Sequence, residues 1–208
     1  MAGPDYTLET EHLFHGAVCG VDEVGRGPLA GPVTAAAVVL NPDDVPEGLN
    51  DSKRLTGPRR AALTEALMAR ASVCVAHASV AEIDSLNILR ASQLAMVRAV
   101  AGLHPRPGFA LIDGNLIPEN LGVPARAVVR GDAASLSIAA ASIVAKTCRD
   151  GIMRELAREC PGYGWETNAG YPSAAHRAAL QDLGVTPHHR RSFKPVHNIL
   201  YQEKSVTP

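Results

Sequence analysis

The sequence predicts a single α/β domain with a helical C-terminal portion, on the strength of three observations. Short apolar runs rich in β-branched residues alternate with longer stretches of helical periodicity. The 208 residues are enough for one domain to bury most of its apolar surface. Hydrophobic residues form 46% of the chain and charged residues 20%, which is the balance of an ordinary globular protein.

Three strands are predicted in the first half of the chain. Gly16–Val24 and Val33–Leu40 are apolar runs on either side of Gly25–Pro32, a segment whose glycines and prolines predict a turn. The two runs form either a hairpin or a strand that enters a longer loop. Ser72–Val80 alternates between apolar and polar residues, which predicts the third strand.

Two helices are predicted around the third strand. Pro58 stands at the start of the first, and Arg59–Arg70 carries apolar residues on one face. Ala81–Leu103 is amphipathic and predicts the second, with a break near Asp84–Asn87.

The second half of the chain contains two short strands and is otherwise mainly helical. Phe109–Asp113 and Ala125–Val129 are the predicted strands. The other predicted segments are a helix from about Ser135 to Glu159, a loop at Gly162–Pro172, and a helix at Ala174–Leu183 that ends at Gly184.

Charge and cysteine content limit the function classes. The net charge of -1 argues against an extended phosphate-binding surface, although a nucleic-acid-binding protein needs only a local basic patch. The four cysteines form no CxxC pair, which disfavours a zinc site, and Cys19 and Cys74 are predicted to be small buried residues. Because no leader-like or 18-residue apolar segment occurs, we expect a cytoplasmic protein with reduced thiols and no membrane contact.

Acidic side chains stand at the ends of three predicted strands. Asp22 and Glu23 end the first strand, Asp113 ends the fourth, and Asp132 begins the loop after the fifth. In an open α/β sheet, the functional crevice lies outside the carboxyl ends of the strands. Clustered carboxylates repel one another and favour a divalent cation, and all-oxygen ligation suits Mg²⁺ or Mn²⁺. The alternative interpretation is that these acids are solvated turn or capping residues.

The Gly25-Arg26-Gly27 turn follows the first acidic pair directly. Adjacent strand residues point to opposite faces, so Asp22 and Glu23 line one site only if the strand bends or one side chain arrives by the strand edge. The glycines permit such a distortion, and the turn could bring N–H groups close to a ligand. It is not a dinucleotide-binding fingerprint, because its spacing is G-x-G-x-x-x-G and no helix clearly follows. A plain turn remains the alternative.

Six ordered motifs resemble the signatures of the ribonuclease HII family. They are VDEVGRGPLAGPV at Val21–Val33, DSKRL from Asp51, IDGN from Ile112, Gly131-Asp132 with SIAAASIVAKTCRD at Ser137–Asp150, GYP from Gly170, and HRRSF from His189. The similarity covers roughly Gly16–Leu200. It implies a ribonuclease H-like fold: a mixed five-stranded central sheet flanked by helices, with a helical C-terminal region. The chain then divides into a polar N-terminal segment (1–15) that is expected to be flexible and loosely packed, a catalytic domain (16–200) that includes the helical C-terminal region, and a polar tail (201–208).

The resemblance also implies roles for individual residues. It makes Asp22, Glu23, Asp113 and Asp132 the catalytic, metal-binding set. The Gly25-Arg26-Gly27 loop is similar to the one that reads the ribose 2′-OH through its backbone, and Tyr171 matches the tyrosine that packs on the next sugar. The positions that resemble phosphate contacts are Ser52, Lys53, Ser142, Lys146, Arg190 and Ser192.

The activity implied is that of an endonuclease that hydrolyses the RNA strand of RNA–DNA hybrids and cuts 5′ to single ribonucleotides in duplex DNA. Two-metal in-line hydrolysis with Mn²⁺ or Mg²⁺ would leave 3′-OH and 5′-phosphate ends. A site that hydrogen-bonds the 2′-OH rejects a sugar that lacks it. We expect a monomer with no obligate protein partner. Two positions depart from the family pattern: Ala169 replaces the usual Lys, which removes one phosphate contact, and Ser173 replaces a frequent Thr.

Three other functions stay open at this point. A resolvase, transposase core or proofreading exonuclease also uses acids on a similar sheet, but cuts DNA. A non-enzymatic nucleic-acid-binding module would use the acids only as caps, and a nucleotide-cofactor enzyme would use the glycine-rich turn. His188, His189 and His197 are interpreted as part of a solvated basic face beside Arg190 and Arg191, not as a metal site.

Overall fold

The computed structural model describes residues 3–201, and a five-stranded mixed sheet forms its centre. The strands are β1 (Val18–Val24), β2 (Val33–Val39), β3 (Ser72–Ala78), β4 (Phe109–Asp113) and β5 (Ala125–Val128). Their spatial order is β3-β2-β1-β4-β5. The pairs β1/β2 and β2/β3 are antiparallel, and β1/β4 and β4/β5 are parallel. The predicted ribonuclease H-like sheet is thereby confirmed, and the carboxyl ends of β1, β4 and β5 meet at one edge.

Eight α-helices lie within the described residues. They are α1 (Thr7–Thr10), α2 (Gly57–Arg70), α3 (Val80–Leu86), α4 (Ile88–Ala101), α5 (Leu136–Glu159), α6 (Trp165–Asn168), α7 (Ala174–Leu183) and α8 (Lys194–Tyr201). Three 3₁₀ turns occur at Leu13–His15, Ser52–Arg54 and Gly131–Ala133. The predicted helix break is confirmed at Asn87, whose φ is 72° and whose side chain caps α4 by accepting from the N–H groups of Leu89 and Arg90. The predicted loop at 162–172 differs from expectation, because it contains α6.

Helices α4 and α5 cover opposite faces of the sheet. On the α4 side, the buried core includes Cys19 and Val21 of β1 with Ala95 of α4. On the α5 side, Ala36 of β2 packs with Ile143. The amino end of α5 comes so close to β1 that a Cβ on Gly20 would lie 2.1 Å from the carbonyl carbon of Ser137. Close packing of this kind explains how an Ala-rich chain with few aromatics fills its interior.

All four cysteines are free thiols, and the predicted burial is confirmed for one of the two cysteines for which it was made. Cys19 is buried in β1, as expected, whereas Cys74 of β3 is only partly buried against the same core. No helix between residues 3 and 201 has the length and apolar character needed to span a membrane.

The N-terminal segment is packed more closely than the sequence suggests. Glu9 is fully buried, and its Oε1 accepts from the Ser135 hydroxyl at 2.6 Å, the Ser137 hydroxyl at 2.6 Å and the Ser137 N–H at 2.8 Å. The first turn of a helix has N–H groups without helical acceptors and a partial positive charge, and a carboxylate satisfies both. Loose packing was therefore the wrong expectation around Glu9. The flexibility of residues 1–15 and the domain bounds at 16 and 200 stay predictions, and residues 202–208 of the predicted tail lie outside the described residues.

Candidate active site

Two acids lie side by side where the parallel strands end. Val21 of β1 pairs with Ile112 of β4, so the next residues, Asp22 and Asp113, stand level at the carboxyl ends of their strands and on the same face. Asp113 Oδ1 accepts from the backbone N–H of Gly131 at 2.7 Å. This contact brings the 3₁₀ turn with Asp132 to the same edge of the sheet.

Glu23 reaches this edge from the other face of the sheet. The β1/β2 ladder is regular through the pair Val24 and Thr34, so the strand does not bend as its two following glycines would have allowed. Asp22 therefore faces α5, where the Ser142 hydroxyl is its neighbour. Glu23 faces α4, at a cleft of about 150 Å³ that Asp113 and Met96 also line. Asp113 therefore lies close to both Asp22 and Glu23, although these two side chains are on opposite faces of the sheet.

The electrostatics show that the acids repel one another. Burial, and then the charges of Asp113 and Glu23, raise the pKa of Asp22 well above its ordinary value. Burial also raises the pKa of Glu23; Arg26 opposes this rise and Asp113 adds to it. The pKa of Asp132 is raised by burial and by the charge of Asp113. A bound cation would relieve this repulsion.

The donor atoms suit a hard divalent cation. All four predicted ligands offer carboxylate oxygen, the donor that Mg²⁺ and Mn²⁺ prefer. Within residues 3–201, however, no three His, Cys, Asp or Glu side chains form a ready metal-binding group. Mg²⁺ commonly keeps several waters and completes its shell with substrate phosphates, so an open set of acids is compatible with this chemistry. The ligand role of each acid stays a prediction.

The Asp51-Ser52-Lys53 motif lies beside the same edge. Ser52 and Ser142 are both buried, and their hydroxyl oxygens are 2.9 Å apart. Asp51 raises the pKa of Asp132, whereas the exposed Lys53 lowers it. Asp51 is thus a further acid beside this site that was not among the predicted site residues, although its position at the head of the DSKRL motif was a usable signal. Two predicted phosphate contacts, Ser52 and Ser142, thus adjoin the acids.

Lys146, a third predicted phosphate contact, is engaged elsewhere on α5. Its Nζ lies 2.8 Å from Oδ1 of Asp150, one helical turn further on. Ser192 is also held locally, because its hydroxyl donates to Oδ1 of Asp84 at 2.6 Å. The structure does not bring these two residues into contact with the acids.

The Gly25-Arg26-Gly27 loop and Tyr171 meet next to the acids. The Arg26 guanidinium is half-exposed, and its Nη1 is 3.4 Å from Oε1 of Glu23. A Cβ on Gly27 would lie 3.5 Å from Cε1 of Tyr171, so the tyrosine ring lies against that glycine. Tyr171 is 41% exposed, which leaves much of its side chain free for a ligand.

The predicted basic face is wrong for two of its members. His189 and Arg190 are fully buried, whereas Arg191 and His197 are exposed and His188 is half-buried. Arg190 donates to backbone carbonyls of the Gly25–Pro32 segment, which requires donors because its carbonyls turn into the protein. Direct contact between Arg190 and a phosphate, as the resemblance implied, does not fit this burial.

The family model of ribonuclease HII matches residues 19–196. The chain belongs to the ribonuclease HII family. Ribonuclease HII of Ruegeria pomeroyi is 67% identical over 98% of this chain and 88% of its own length. Ribonuclease H2 from Pyrococcus horikoshii OT3 has the same fold with a TM-score of 0.75, at 26% identity, over 88% of this chain and 96% of that one.

A third relative has been solved with a metal. Bst-RNase HIII in complex with Mn²⁺ shares the fold with a TM-score of 0.73, at 19% identity, over 93% of this chain and 72% of that one. Membership of the ribonuclease HII family makes the chain an endoribonuclease of the ribonuclease H class, which hydrolyses the RNA strand of RNA–DNA hybrids. Enzymes of this family depend on divalent cations.

Proposed function

We propose that this ribonuclease HII family member cuts on the 5′ side of single ribonucleotides in duplex DNA, as well as within RNA–DNA hybrids. The products carry 3′-OH and 5′-phosphate ends. The observation that carries the proposal is the arrangement of Gly27 and Tyr171, which are in contact beside Glu23 and Asp113. If the sugar of the next nucleotide packs on the tyrosine ring, the preceding ribonucleotide has its 2′-OH at the glycine loop and its phosphate near the acids.

The residues of the chain divide the work between recognition and chemistry. Asp22, Glu23, Asp113 and Asp132 would hold two divalent cations, Mn²⁺ or Mg²⁺, which when bound supply charge neutralisation at the scissile phosphate. The loop from Gly25 to Gly27 offers N–H groups to the 2′-OH. Because a loop that hydrogen-bonds this hydroxyl is left unpaired by deoxyribose, it discriminates against DNA.

Three further side chains near the acids would contact phosphates of the substrate. Lys53 is exposed beside Asp132 and can reach a phosphate, and Ser52 and Ser142 adjoin Asp22. We further propose a monomer that acts in the cytoplasm on nucleic acid alone, without an obligate protein partner. Light scattering at micromolar concentration would test the monomer.

One gel tests the activity. Three duplexes are incubated with and without Mn²⁺ or Mg²⁺: DNA with a single ribonucleotide, an RNA–DNA hybrid, and DNA alone. We expect cation-dependent cuts 5′ to the ribonucleotide and within the RNA strand, and an intact all-DNA duplex. Cleavage of all three at similar rates would indicate a DNA nuclease on the same fold, and binding without cleavage would indicate a non-enzymatic module.

A further inference from the structure

Two arginines lie fully buried behind the Gly25–Pro32 loop. Arg149 of α5 and Arg190, from the segment after α7, are both 0% exposed. Among the described ion pairs, neither guanidinium has a carboxylate partner. Burial and the nearby charge of Arg149 lower the pKa of Arg190 to about 9, which shows that this placement opposes the charged form. Backbone carbonyls take the place of counter-ions.

The two guanidiniums make seven hydrogen bonds to carbonyl oxygens, six of them within the loop. Arg190 donates to Gly25 at 2.6 Å, Gly31 at 2.9 Å, and Arg26 and Pro32 at 3.1 Å. Arg149 donates to Ala169 at 2.9 Å, Pro32 at 3.0 Å and Ala30 at 3.1 Å. Bonds from an ionised donor are stronger than neutral ones, so the two arginines firmly hold the carbonyls of five of the eight loop residues.

Arg190 and Arg149 donate mostly to different peptide carbonyls of the loop. In a trans peptide, the C=O of one residue and the N–H of the next point in opposite directions. Arg190 draws the carbonyls of Gly25 and Arg26 inward, so the N–H groups of Arg26 and Gly27 point outward. Both residues are exposed, and neither N–H has an acceptor within the part of the chain that the structure describes. These are the two free donors next to Tyr171 and Glu23.

The fit between the loop and the arginines is close. A Cβ on Gly25 would lie 2.1 Å from Nε of Arg149, and φ at Gly25 is +96°, so only glycine is accommodated there. The loop is also tied to the Tyr171 segment, because the Leu29 N–H donates to the Gly170 carbonyl at 2.8 Å. The orientation of the free N–H groups is therefore built into the interior and is not a property of a mobile turn.

We propose that Arg190 is a positioning residue that determines the preference for a ribonucleotide, because it directs the N–H groups of Arg26 and Gly27 at the ribose 2′-OH. The inference rests on the proposed function. Arg190 never touches the substrate; its guanidinium acts through two peptide planes. A lysine at this position keeps the charge but offers a compact ammonium in place of the planar fork that reaches both carbonyls.

The test compares Arg190→Lys with Arg149→Lys, a matched variant. Both arginines are buried and both bind the loop, but only Arg190 holds the peptides of the two free N–H groups. The variants are made in an Asp113→Asn background, which prevents turnover. Equilibrium binding is then measured for a DNA duplex with one ribonucleotide and for the same all-DNA duplex. Thermal unfolding checks that each variant is folded at the assay temperature.

We expect Arg190→Lys to lower the ratio of the two affinities about tenfold, with little change in all-DNA binding, since one or two hydrogen bonds to the 2′-OH are lost. Arg149→Lys should change the ratio much less. An equal fall of the ratio in both variants, or a loss of affinity for both duplexes without a change of ratio, would overturn the inference. If the Asp113→Asn parent itself has no preference, and the wild type cuts no ribonucleotide, it is the proposed function that fails.

A second measurement needs no variant and covers the case in which Arg190→Lys does not fold. Amide hydrogen exchange is followed for Arg26 and Gly27 in the Asp113→Asn protein, alone and with each duplex. We expect protection of both amides by the ribonucleotide-containing duplex and less by all-DNA. Equal protection by the two duplexes would contradict the assignment of these donors to the 2′-OH.

Discussion

Asp113 Oδ1 accepts a 2.7 Å hydrogen bond from the backbone N–H of Gly131, so the acid that ends β4 also positions the turn that carries Asp132. One carboxylate thus serves as a structural acceptor and, in the proposed function, as a ligand oxygen. An amide at this position separates the two roles, since its oxygen can still accept from Gly131 but carries no charge.

Asp113→Asn is expected to abolish cleavage and leave the fold intact. The loss of one charged ligand removes several kcal/mol of charge stabilisation, which corresponds to a rate reduction of about 10³-fold. Single-turnover cleavage of a ribonucleotide-containing duplex in Mg²⁺ measures the effect, and circular dichroism checks the fold. Asp43→Asn, an exposed acid-to-amide change in the loop after β2, is the control and should cleave normally. Near-normal turnover of Asp113→Asn would contradict the metal-ligand assignment.

Asp22→Asn should stabilise the metal-free protein. The raised pKa of Asp22 means that ionisation opposes folding at every pH above the ordinary pKa of an aspartate. Replacement by a neutral amide removes this penalty, and we expect the free energy of unfolding to rise by on the order of 1 kcal/mol. Urea denaturation at pH 8 with EDTA provides the measurement, again with Asp43→Asn for comparison. A lower stability than wild type would show that the carboxylate is favourably solvated.

Tyr171→Ala should reduce cleavage at single ribonucleotides, because the sugar loses the ring that lies against Gly27. We expect kcat/KM to fall roughly tenfold to a hundredfold, the usual scale for a misplaced reacting group. Tyr171→Phe keeps the ring and should retain most of the activity. If the alanine variant matches wild type, the tyrosine does not position the sugar.

Glu9→Ala should destabilise the protein by about 2–3 kcal/mol, because it leaves the Ser137 N–H and two hydroxyls without their buried acceptor. Glu9→Gln retains an acceptor oxygen and should lose less. Glu11→Ala removes an exposed ion pair with Arg126 in the same segment and should change stability by less than about 1 kcal/mol. Denaturation midpoints compare the three variants, and equal losses for Glu9→Ala and Glu11→Ala would refute the role of Glu9 at the start of α5.

The buried histidines should make the fold sensitive to mild acid. Burial, and then the charges of His176 and His188, lower the pKa of His189 to about 4. The unfolded chain takes up a proton near pH 6.5 while the folded chain does not, so stability is lost as the pH falls from 6.5 to 4. We expect His189 to account for about 1–2 kcal/mol of loss between pH 7 and pH 5.

The pH measurement compares the slope of unfolding free energy against pH in wild type and His189→Gln. The variant should have a shallower slope whatever its absolute stability. His197→Gln, at an exposed position, is the control and should keep the wild-type slope. Identical slopes in wild type and His189→Gln would mean that His189 titrates normally in the folded protein.

Much of the architecture was predictable because it is local. The apolar run Phe109–Asp113 is β4, and the break before Ile88 falls where Asn87 caps the next helix. Periodicity and caps involve residues close in the chain, so a single sequence carries them. The positions of the acids at strand ends followed for the same reason, and the ordered motifs identified the family.

Contacts between distant segments were decided only by the tertiary structure. Arg190 and Gly25 are 165 residues apart, and Glu9 and Ser137 are 128 apart, so no local pattern marks either pair. Two expectations were therefore wrong: that Arg190 lies on the solvated surface, and that the segment around Glu9 is loosely packed. A charged residue is predicted to be solvated unless its partners are known. The partners of Arg190 are backbone C=O groups, and those of Glu9 are one backbone N–H and two serine hydroxyls. Such groups are common along the chain, and folding alone turns them inward at a given place.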